Sequence, residues 1–114
     1  MKIPCNIQYL KEVAFDLAKL KDPQLSECML MIKKLEHNIH LGKALEDKNG
    51  MDLDGCYKIY FDNAKYRIVY RKIETGYEIV GVEKVPKPIA EIIAIGERNE
   101  QQVYKTADSR INNK

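Results

Sequence analysis

Apolar residues recur every three or four positions through the first twenty residues, which is the spacing of an amphipathic helix. This pattern predicts a first helix over residues 7–20. Its apolar stripe consists of Leu10, Val13, Ala14 and Leu17, and the charged residues off the stripe are Lys11, Asp16 and Lys19. One face of the helix is therefore expected to be buried.

A second helix is predicted directly after the first. Asp22 is a favourable N-cap, and Pro23 suits the first helical position because that position needs no backbone N–H. The apolar stripe of this helix comprises Leu25, Cys28, Ile32, Leu35 and Ile39. Because the join at Lys21 and Asp22 is short, we expect an antiparallel helical hairpin whose stripe rests on a sheet.

The second half of the chain changes to the alternating pattern of strands. Residues 40–55 contain Gly42, Asn49-Gly50 and Gly55 among charged residues and predict a connecting loop. Strands are predicted at 56–61, 65–73, 77–85 and 89–95, with a hairpin turn at 62–64 and a short helix at 101–111. Residues 80–88 are longer than such a hairpin requires and are interpreted only as an extended turn.

The order of these elements predicts the class of fold. Two helices followed by strands indicate an α+β domain, with the N-terminal helical hairpin packed on one face of a small antiparallel sheet and a short C-terminal helix. Residues 1–114 are expected to form one domain, because the chain has an ordinary domain length and 45% hydrophobic residues.

Alternation along the strands sorts their side chains onto two faces. If Ile59, Phe61, Tyr66 and Ile68 face the helices, the opposite, uncovered face carries Lys58, Tyr60, Arg67 and Arg71. Such a surface suits single-stranded RNA, because cations hold phosphates and aromatic rings stack on bases. A solvated strand surface without a ligand would have the same composition.

The distribution of charge differs between the two halves of the chain. Residues 1–55 hold eight Lys, no Arg and nine acidic residues, whereas residues 56–114 hold seven Lys, four Arg and eight acidic residues. Arginine grips phosphate through a planar fork of donors, so an anionic partner is expected to meet the second half.

Other features restrict the classes of function. The first twenty residues lack the order of a signal peptide and no long apolar run follows, so a cytoplasmic protein with no membrane contact is expected. Cys5, Cys28 and Cys56 form no C-x-x-C pair, and His37 and His40 lack a third ligand at a suitable spacing. Neither a disulfide framework, a metal site nor a cofactor is predicted.

Three motifs in the second half resemble the RelE/ParE family of toxins. They lie in residues 53–70 (LDGCYKIYFDNAKYRIVY) and 92–104 (IIAIGERNEQQVY). The family combines a Gly-Cys-x-Lys-Ile strand, a Tyr-Arg-hydrophobic-Val-Tyr strand, and a Gly-x-Arg that ends the last strand shortly before a Val-Tyr. The three occur here in that order, while the helical hairpin and loop match the family only in pattern.

The resemblance implies the toxin of a type II toxin–antitoxin system, a ribosome-dependent endoribonuclease that cuts messenger RNA in the decoding (A) site. Its implied partners are the messenger RNA on the ribosome and a cognate antitoxin, with which it would form a hetero-oligomer. The implied reaction needs no metal: the 2′-hydroxyl of the RNA attacks the adjacent phosphate and leaves a 2′,3′-cyclic phosphate.

The resemblance also implies roles for four residues. Arg67 matches the arginine that clamps the phosphate, and Arg98 matches the arginine assigned to the leaving group. Tyr104 matches a tyrosine that stacks on or orients the nucleotide, and Lys58 matches a lysine credited with charge stabilisation or proton removal. Tyr60, Lys65 and Arg71 are the further candidates for RNA binding.

One departure from the family leaves the general base open. Strongly active members carry a second lysine two residues after the first, and that position is Tyr60 here, which cannot supply a fixed positive charge. Two alternatives therefore remain beside the RNA-cleaving toxin. One is a ParE-like inhibitor of DNA gyrase, and the other is a non-catalytic remnant of the fold that binds an antitoxin.

Overall fold

The structure, a computed structural model, describes residues 1–45 and 51–112, apart from the side chain of Glu100. Its strands are β1 (Asn6–Tyr9), β2 (Lys43–Ala44), β3 (Cys56–Phe61), β4 (Tyr66–Ile73), β5 (Tyr77–Val80), β6 (Glu83–Pro86) and β7 (Ile89–Glu97). Its helices are α1 (Val13–Lys19), α2 (Gln24–His37) and α3 (Gln102–Asn112), and a 3-10 turn (Asn99–Gln101) precedes α3. The predicted α+β fold is confirmed.

Five strands form the main sheet in the order β1-β7-β4-β3-β2. All neighbours are antiparallel except β1, which runs parallel to β7 from Asn6 opposite Ile89 to Tyr9 opposite Ile92. The prediction of a helix beginning at residue 7 was therefore wrong. Residues 6–9 donate and accept backbone hydrogen bonds along the edge of β7, and the helix begins only at Val13.

The helical hairpin covers one face of the sheet. Cys28, Ile32 and Leu35 of α2 pack with Ile59, Phe61, Ile68 and Tyr70 of the two central hairpin strands, and Val13 of α1 joins the same core. The predicted stripe of α2 is thus confirmed from Leu25 to Leu35, whereas Ile39 is buried beyond the end of the helix at His37. The predicted inward face of β3 and β4 is also confirmed. In α1 the predicted division into buried and exposed residues was wrong at two positions, since Ala14 is exposed and Asp16 is buried.

The opposite face of the sheet is not uncovered. Val103 and Ala107 of α3, together with Met51 and Leu53, pack on Val69, Ile93 and Ala94. The helices therefore lie on both faces rather than one, because α3 folds back across β7 and β4. As a result the cationic residues of that face border a cavity rather than an open platform.

The predicted loop of residues 40–55 contains the edge strand β2, which pairs with β3 through Lys43 opposite Lys58. Gly42 allows this pairing, because a Cβ at that position would lie 2.7 Å from the Tyr70 ring and 2.8 Å from the Lys58 carbonyl oxygen. Its N–H donates to the Tyr70 hydroxyl at 2.9 Å. The predicted turn at Asn49-Gly50 lies outside the described residues.

The predicted strand over residues 77–85 is a separate two-stranded hairpin. β5 and β6 pair from Tyr77 opposite Pro86 to Val80 opposite Glu83, and the turn at Gly81 has a φ of 64°. The interpretation of residues 80–88 as an extended turn was wrong. No helix among the described residues has the length and apolar character needed to cross a membrane.

Candidate functional site

A cavity of about 560 Å³ lies on the α3 side of the sheet, between β2, β3, β4 and the start of α3. It contains all four residues predicted as catalytic, together with Tyr60. Its lining consists of Lys43, Ala44, Leu45, Met51, Leu53, Lys58, Tyr60, Arg67, Arg98, Gln101 and Tyr104. We call this the cationic cavity, because four of these residues carry a positive charge.

Arg67 lies at the floor of the cationic cavity with only 3% of its surface exposed. Its Nε donates to the Tyr104 hydroxyl at 3.1 Å, and its Nη1 donates to the carbonyl oxygens of Ala64 and Tyr66. The expectation that Arg67 lies on an uncovered face of the sheet was therefore wrong. Strand alternation gives the face on which a side chain lies but not what covers that face.

The turn between β3 and β4 is shaped to hold Arg67. Asp62, Asn63 and Ala64 have φ values of 52°, 52° and 65°, in the left-handed region that non-glycine residues seldom adopt. From α2, Glu27 accepts a 3.0 Å hydrogen bond from the Asp62 N–H. This anchored turn presents the Ala64 carbonyl oxygen to the guanidinium of Arg67.

Tyr60 lies between two cations on the same face. The guanidinium carbon of Arg67 is 3.7 Å from the centre of the Tyr60 ring, and the Lys58 Nζ is 5.4 Å from it. A hydrogen bond with Lys58 lowers the pKa of the Tyr60 hydroxyl, and the charges of Lys58, Arg67 and Lys43 lower it further. Tyr60 is 38% exposed, so it remains accessible from the cavity.

The end of β7 brings the remaining two predicted residues into the cavity. The N–H of Arg98 donates to the Lys65 carbonyl oxygen at 2.8 Å, which fixes the backbone while the side chain of Arg98 stays exposed. Gln101 then turns the chain with a φ of 59°, and its N–H donates to the Arg98 carbonyl oxygen at 2.7 Å. α3 begins at the next residue and carries Tyr104 over Arg67.

Two residues predicted to bind RNA lie elsewhere. Arg71 is outside the cationic cavity and forms an ion pair with Glu91, with 2.6 Å between Nε and Oε1. Lys65 lines a neighbouring cavity of about 490 Å³ at the β3–β4 turn, which shares Arg98 with the first. The predicted cluster of Lys58, Tyr60, Arg67 and Arg71 thus holds for the first three only.

Sequence reasoning missed Lys43 and Gln101 as lining residues. A strand of two residues has no recognisable hydrophobic period, so nothing in the sequence marks Lys43 as the neighbour of Lys58. Gln101 enters the cavity because of a left-handed backbone conformation that glutamine rarely adopts. Neither residue carries a local signal that pattern reasoning could have used.

The charges of the cavity are unbalanced. Its lining has four cations and, among the residues that the structure describes, no carboxylate. Arg67 is buried and has no ion-pair partner among the side chains that the structure describes, which exclude that of Glu100. Because a buried charge is costly unless it is compensated, this arrangement favours an anionic ligand such as a phosphate group.

Compared by sequence, the chain matches no protein-family model and no curated protein. Among solved structures, it is similar to a double arginine-to-alanine mutant of the E. coli toxin RelE in the free state, with a TM-score of 0.62 and 19% identity, over 96% of this chain and 99% of that one. It is also similar to the M. tuberculosis toxin–antitoxin complex RelBE2 (TM-score 0.56, 19% identity, 84% of this chain and 93% of that one). The isolated E. coli RelE toxin gives a TM-score of 0.53 and 22% identity, over 94% and 98% of the two chains. The chain therefore has a RelE-like fold.

Proposed function

We propose that the chain is the toxin of a toxin–antitoxin pair and cleaves messenger RNA in the cationic cavity. One observation carries the proposal: the buried guanidinium of Arg67 lacks a carboxylate partner among the described residues and opens into a cavity that also holds Lys58, Arg98 and Tyr104. The RelE-like fold, together with these residues on the motifs that resemble the family, supports a ribonuclease rather than another use of the cations.

The proposed reaction is attack of the RNA 2′-hydroxyl on its own 3′ phosphate. A bond forms between the 2′ oxygen and phosphorus, the bond from phosphorus to the 5′ oxygen breaks, and the products are a 2′,3′-cyclic phosphate and a free 5′-hydroxyl. The proton of the 2′-hydroxyl goes to a base, and the leaving 5′ oxygen receives a proton. The nucleophile belongs to the substrate, so the protein supplies charge, orientation and proton transfer.

The arrangement of the side chains suggests how these tasks are divided. Arg67 is held by Tyr104 and the Ala64 carbonyl oxygen, and such a fixed guanidinium can stabilise the extra negative charge on phosphorus without reorganisation. Arg98 is exposed at the rim, where it can reach the leaving oxygen. Lys58 lies 5.4 Å from the centre of the Tyr60 ring and lowers the pKa of its hydroxyl, and we assign proton removal from the 2′-hydroxyl to this pair.

We propose two partners for the chain, an antitoxin and the messenger RNA on the ribosome. The M. tuberculosis structure similar to this chain is a toxin–antitoxin complex, and we extend an antitoxin partner, in a hetero-oligomer, to this chain. We also propose the ribosomal A site as the place of cleavage. Lys65 and Arg71, outside the cationic cavity, are proposed to contact the RNA backbone beyond the cleaved phosphate.

The test is controlled expression of the chain in bacteria, followed by mapping of new messenger RNA 5′ ends on translating ribosomes. Arg98→Ala is the matched control, because Arg98 is exposed and its backbone contact to Lys65 is retained. We expect cuts within decoded codons that disappear in the variant. Growth arrest with intact messages and damaged DNA would instead indicate a gyrase inhibitor, and normal growth would indicate a binding remnant.

A further inference from the structure

The C-terminal helix carries a charged residue on the face that packs against the sheet. Val103 and Ala107 are buried there, and Arg110 follows them at the spacing that continues the same stripe. The side chain of Arg110 is 14% exposed, and that of Asp16 in α1, with which it pairs, is 8% exposed. The last turn of α3 is therefore held by an ion pair to α1 in addition to the apolar contact of Ile111.

The pair has the geometry of a strong interaction. Arg110 Nη1 donates to Asp16 Oδ2 at 2.6 Å, and Arg110 Nη2 donates to Asp16 Oδ1 at 2.8 Å. Two parallel, charge-assisted hydrogen bonds of this kind fix orientation as well as distance. The hydrogen bond with Asp16 raises the pKa of Arg110 against the opposing effect of burial.

The same two side chains complete the edge of β7. β1 pairs with β7 only as far as Tyr9 opposite Ile92. Beyond that point the Ile93 carbonyl oxygen accepts from Arg110 Nη1 at 2.9 Å, and the Ile95 N–H donates to Asp16 Oδ2 at 2.9 Å. The ion pair thus supplies the donor and the acceptor that a longer β1 would have supplied.

Ile93 is also the residue at which β7 departs from regular pairing. Val69 lies opposite Ala94 whereas Tyr70 lies opposite Ile92, so Ile93 is the extra residue of a bulge. The Arg110 contact falls on the carbonyl of this residue. The ion pair therefore joins α1, α3 and the irregular point of the strand that leads to Arg98.

We propose that Asp16 and Arg110 are positioning residues, whose ion pair fixes α3 on the edge of β7 and thereby holds the Tyr104 hydroxyl against Arg67. Tyr104 follows the buried Val103, on the side of α3 that faces the cationic cavity. Its contact with Arg67 depends on where the helix lies. The effect on catalysis rests on the proposed function, whereas the effect on the Arg67–Tyr104 contact does not.

The first test measures the Arg67–Tyr104 contact directly and needs no cleavage assay. In the full chain, the Arg67 Nε–H signal is followed by NMR and assigned by its loss in Arg67→Lys. Its exchange with water should be slow in the unmodified protein and fast in Tyr104→Phe, which lacks the acceptor. Asp16→Asn keeps the size of the side chain but removes its charge, and we expect exchange of the Arg67 Nε–H to accelerate at least about tenfold.

Two control variants separate positioning from general loss of stability. Glu78→Gln breaks the exposed ion pair with Lys87 on the β5–β6 hairpin and should leave the Arg67 signal unchanged. Ile32→Val weakens the core on the other face of the sheet. It should speed hydrogen exchange of the backbone amides throughout the protein to a similar extent. If Asp16→Asn does not fold, Arg110→Lys, which keeps the charge but lacks the fork, is measured in its place.

The second test uses the cleavage rate. Asp16→Asn should lower kcat about tenfold or more with little change in KM, and should have less than about a twofold effect in a Tyr104→Phe background, because both changes act through one contact. Equal losses in the two backgrounds, or slow exchange of the Arg67 Nε–H in Asp16→Asn, would overturn the positioning role. A chain that cuts no RNA yet shows the exchange difference would overturn the proposed function alone.

Discussion

Arg67 and Tyr104 are joined by a 3.1 Å hydrogen bond from the guanidinium Nε to the phenol oxygen, across 37 residues of sequence. The bond links the central strand β4 to the helix α3. It leaves the guanidinium with one side on the Tyr60 ring and its Nη1 on the Ala64 carbonyl oxygen. Arg67 is therefore preorganised.

Arg67→Lys should reduce cleavage sharply although it keeps the positive charge. A lysine cannot donate at the same time to Tyr104 and to the Ala64 carbonyl oxygen in the directions that the guanidinium uses. We expect the single-turnover cleavage rate to fall roughly 10²-fold or more. Arg71→Lys, outside the cavity, is the matched comparison and should lose less than about tenfold. Equal losses in the two variants would contradict the assignment of Arg67 to the phosphate.

Arg98→Ala and Arg67→Ala should separate activity from stability. Both should abolish most cleavage, but Arg98 is exposed, and its removal should change the free energy of unfolding by less than about 0.5 kcal/mol. Arg67 is 3% exposed and donates three hydrogen bonds, so its removal should cost about 1–3 kcal/mol. Urea unfolding of the two variants measures the difference. Equal stability would mean that the three hydrogen bonds of Arg67 only offset the cost of burying its charge.

Local patterns in the sequence predicted the elements that depend on near neighbours. Strand β3 has the predicted bounds because its alternation is complete within six residues, and the buried stripe of α2 follows from its spacing. β1 was missed because its partner, beginning at Ile89, lies far along the chain. The burial of Asp16 was missed for the same reason, since it depends on Arg110, 94 residues away.

The sequence predicted which residues form the candidate site, but not how deeply they are buried or which charges surround them. Motifs placed Lys58, Arg67, Arg98 and Tyr104 together, and the structure brings all four to one cavity. The cover supplied by α3 could not be read from alternation, so the burial of Arg67 was not foreseen. Arg71 was predicted to join the site, but it forms an ion pair with Glu91 on the neighbouring strand and lies outside the cavity.

The Tyr60 hydroxyl should ionise at lower pH than an ordinary tyrosine, because Lys58 hydrogen-bonds it and Arg67 and Lys43 stabilise the phenolate. The difference in ultraviolet absorbance between the unmodified protein and Tyr60→Phe, recorded as pH rises, reports this residue. When Lys58→Met is measured in the same way, the pKa of the Tyr60 hydroxyl should rise toward that of free tyrosine. A Tyr60 titration at or above the ordinary value would show that the cations do not act on it.

Tyr60→Lys should raise the cleavage rate if the position belongs to the site. A lysine there adds a fixed cation beside Lys58 and Arg67, where charge develops on the phosphate. We expect the increase to appear in kcat, measured against Tyr77→Lys, which introduces the same change on the exposed β5–β6 hairpin. An unchanged rate would mean that another group already performs the task that the second lysine performs in the family.

Stability should fall in alkaline solution, and Cys28 should account for part of the loss. Burial raises the pKa of the Cys28 thiol to about 12 from 9.0 and that of the Tyr70 hydroxyl to about 12 from 10.0. Between pH 9 and about 12 the unfolded chain therefore releases protons that the folded chain keeps, so the free energy of unfolding decreases as pH rises. Well above pH 9, Cys28 alone should contribute about 1.4 kcal/mol of loss per pH unit. Urea unfolding at pH 8 to 10.5 should give a flatter dependence for Cys28→Ala, and an identical slope would show that the thiol is not protected by burial.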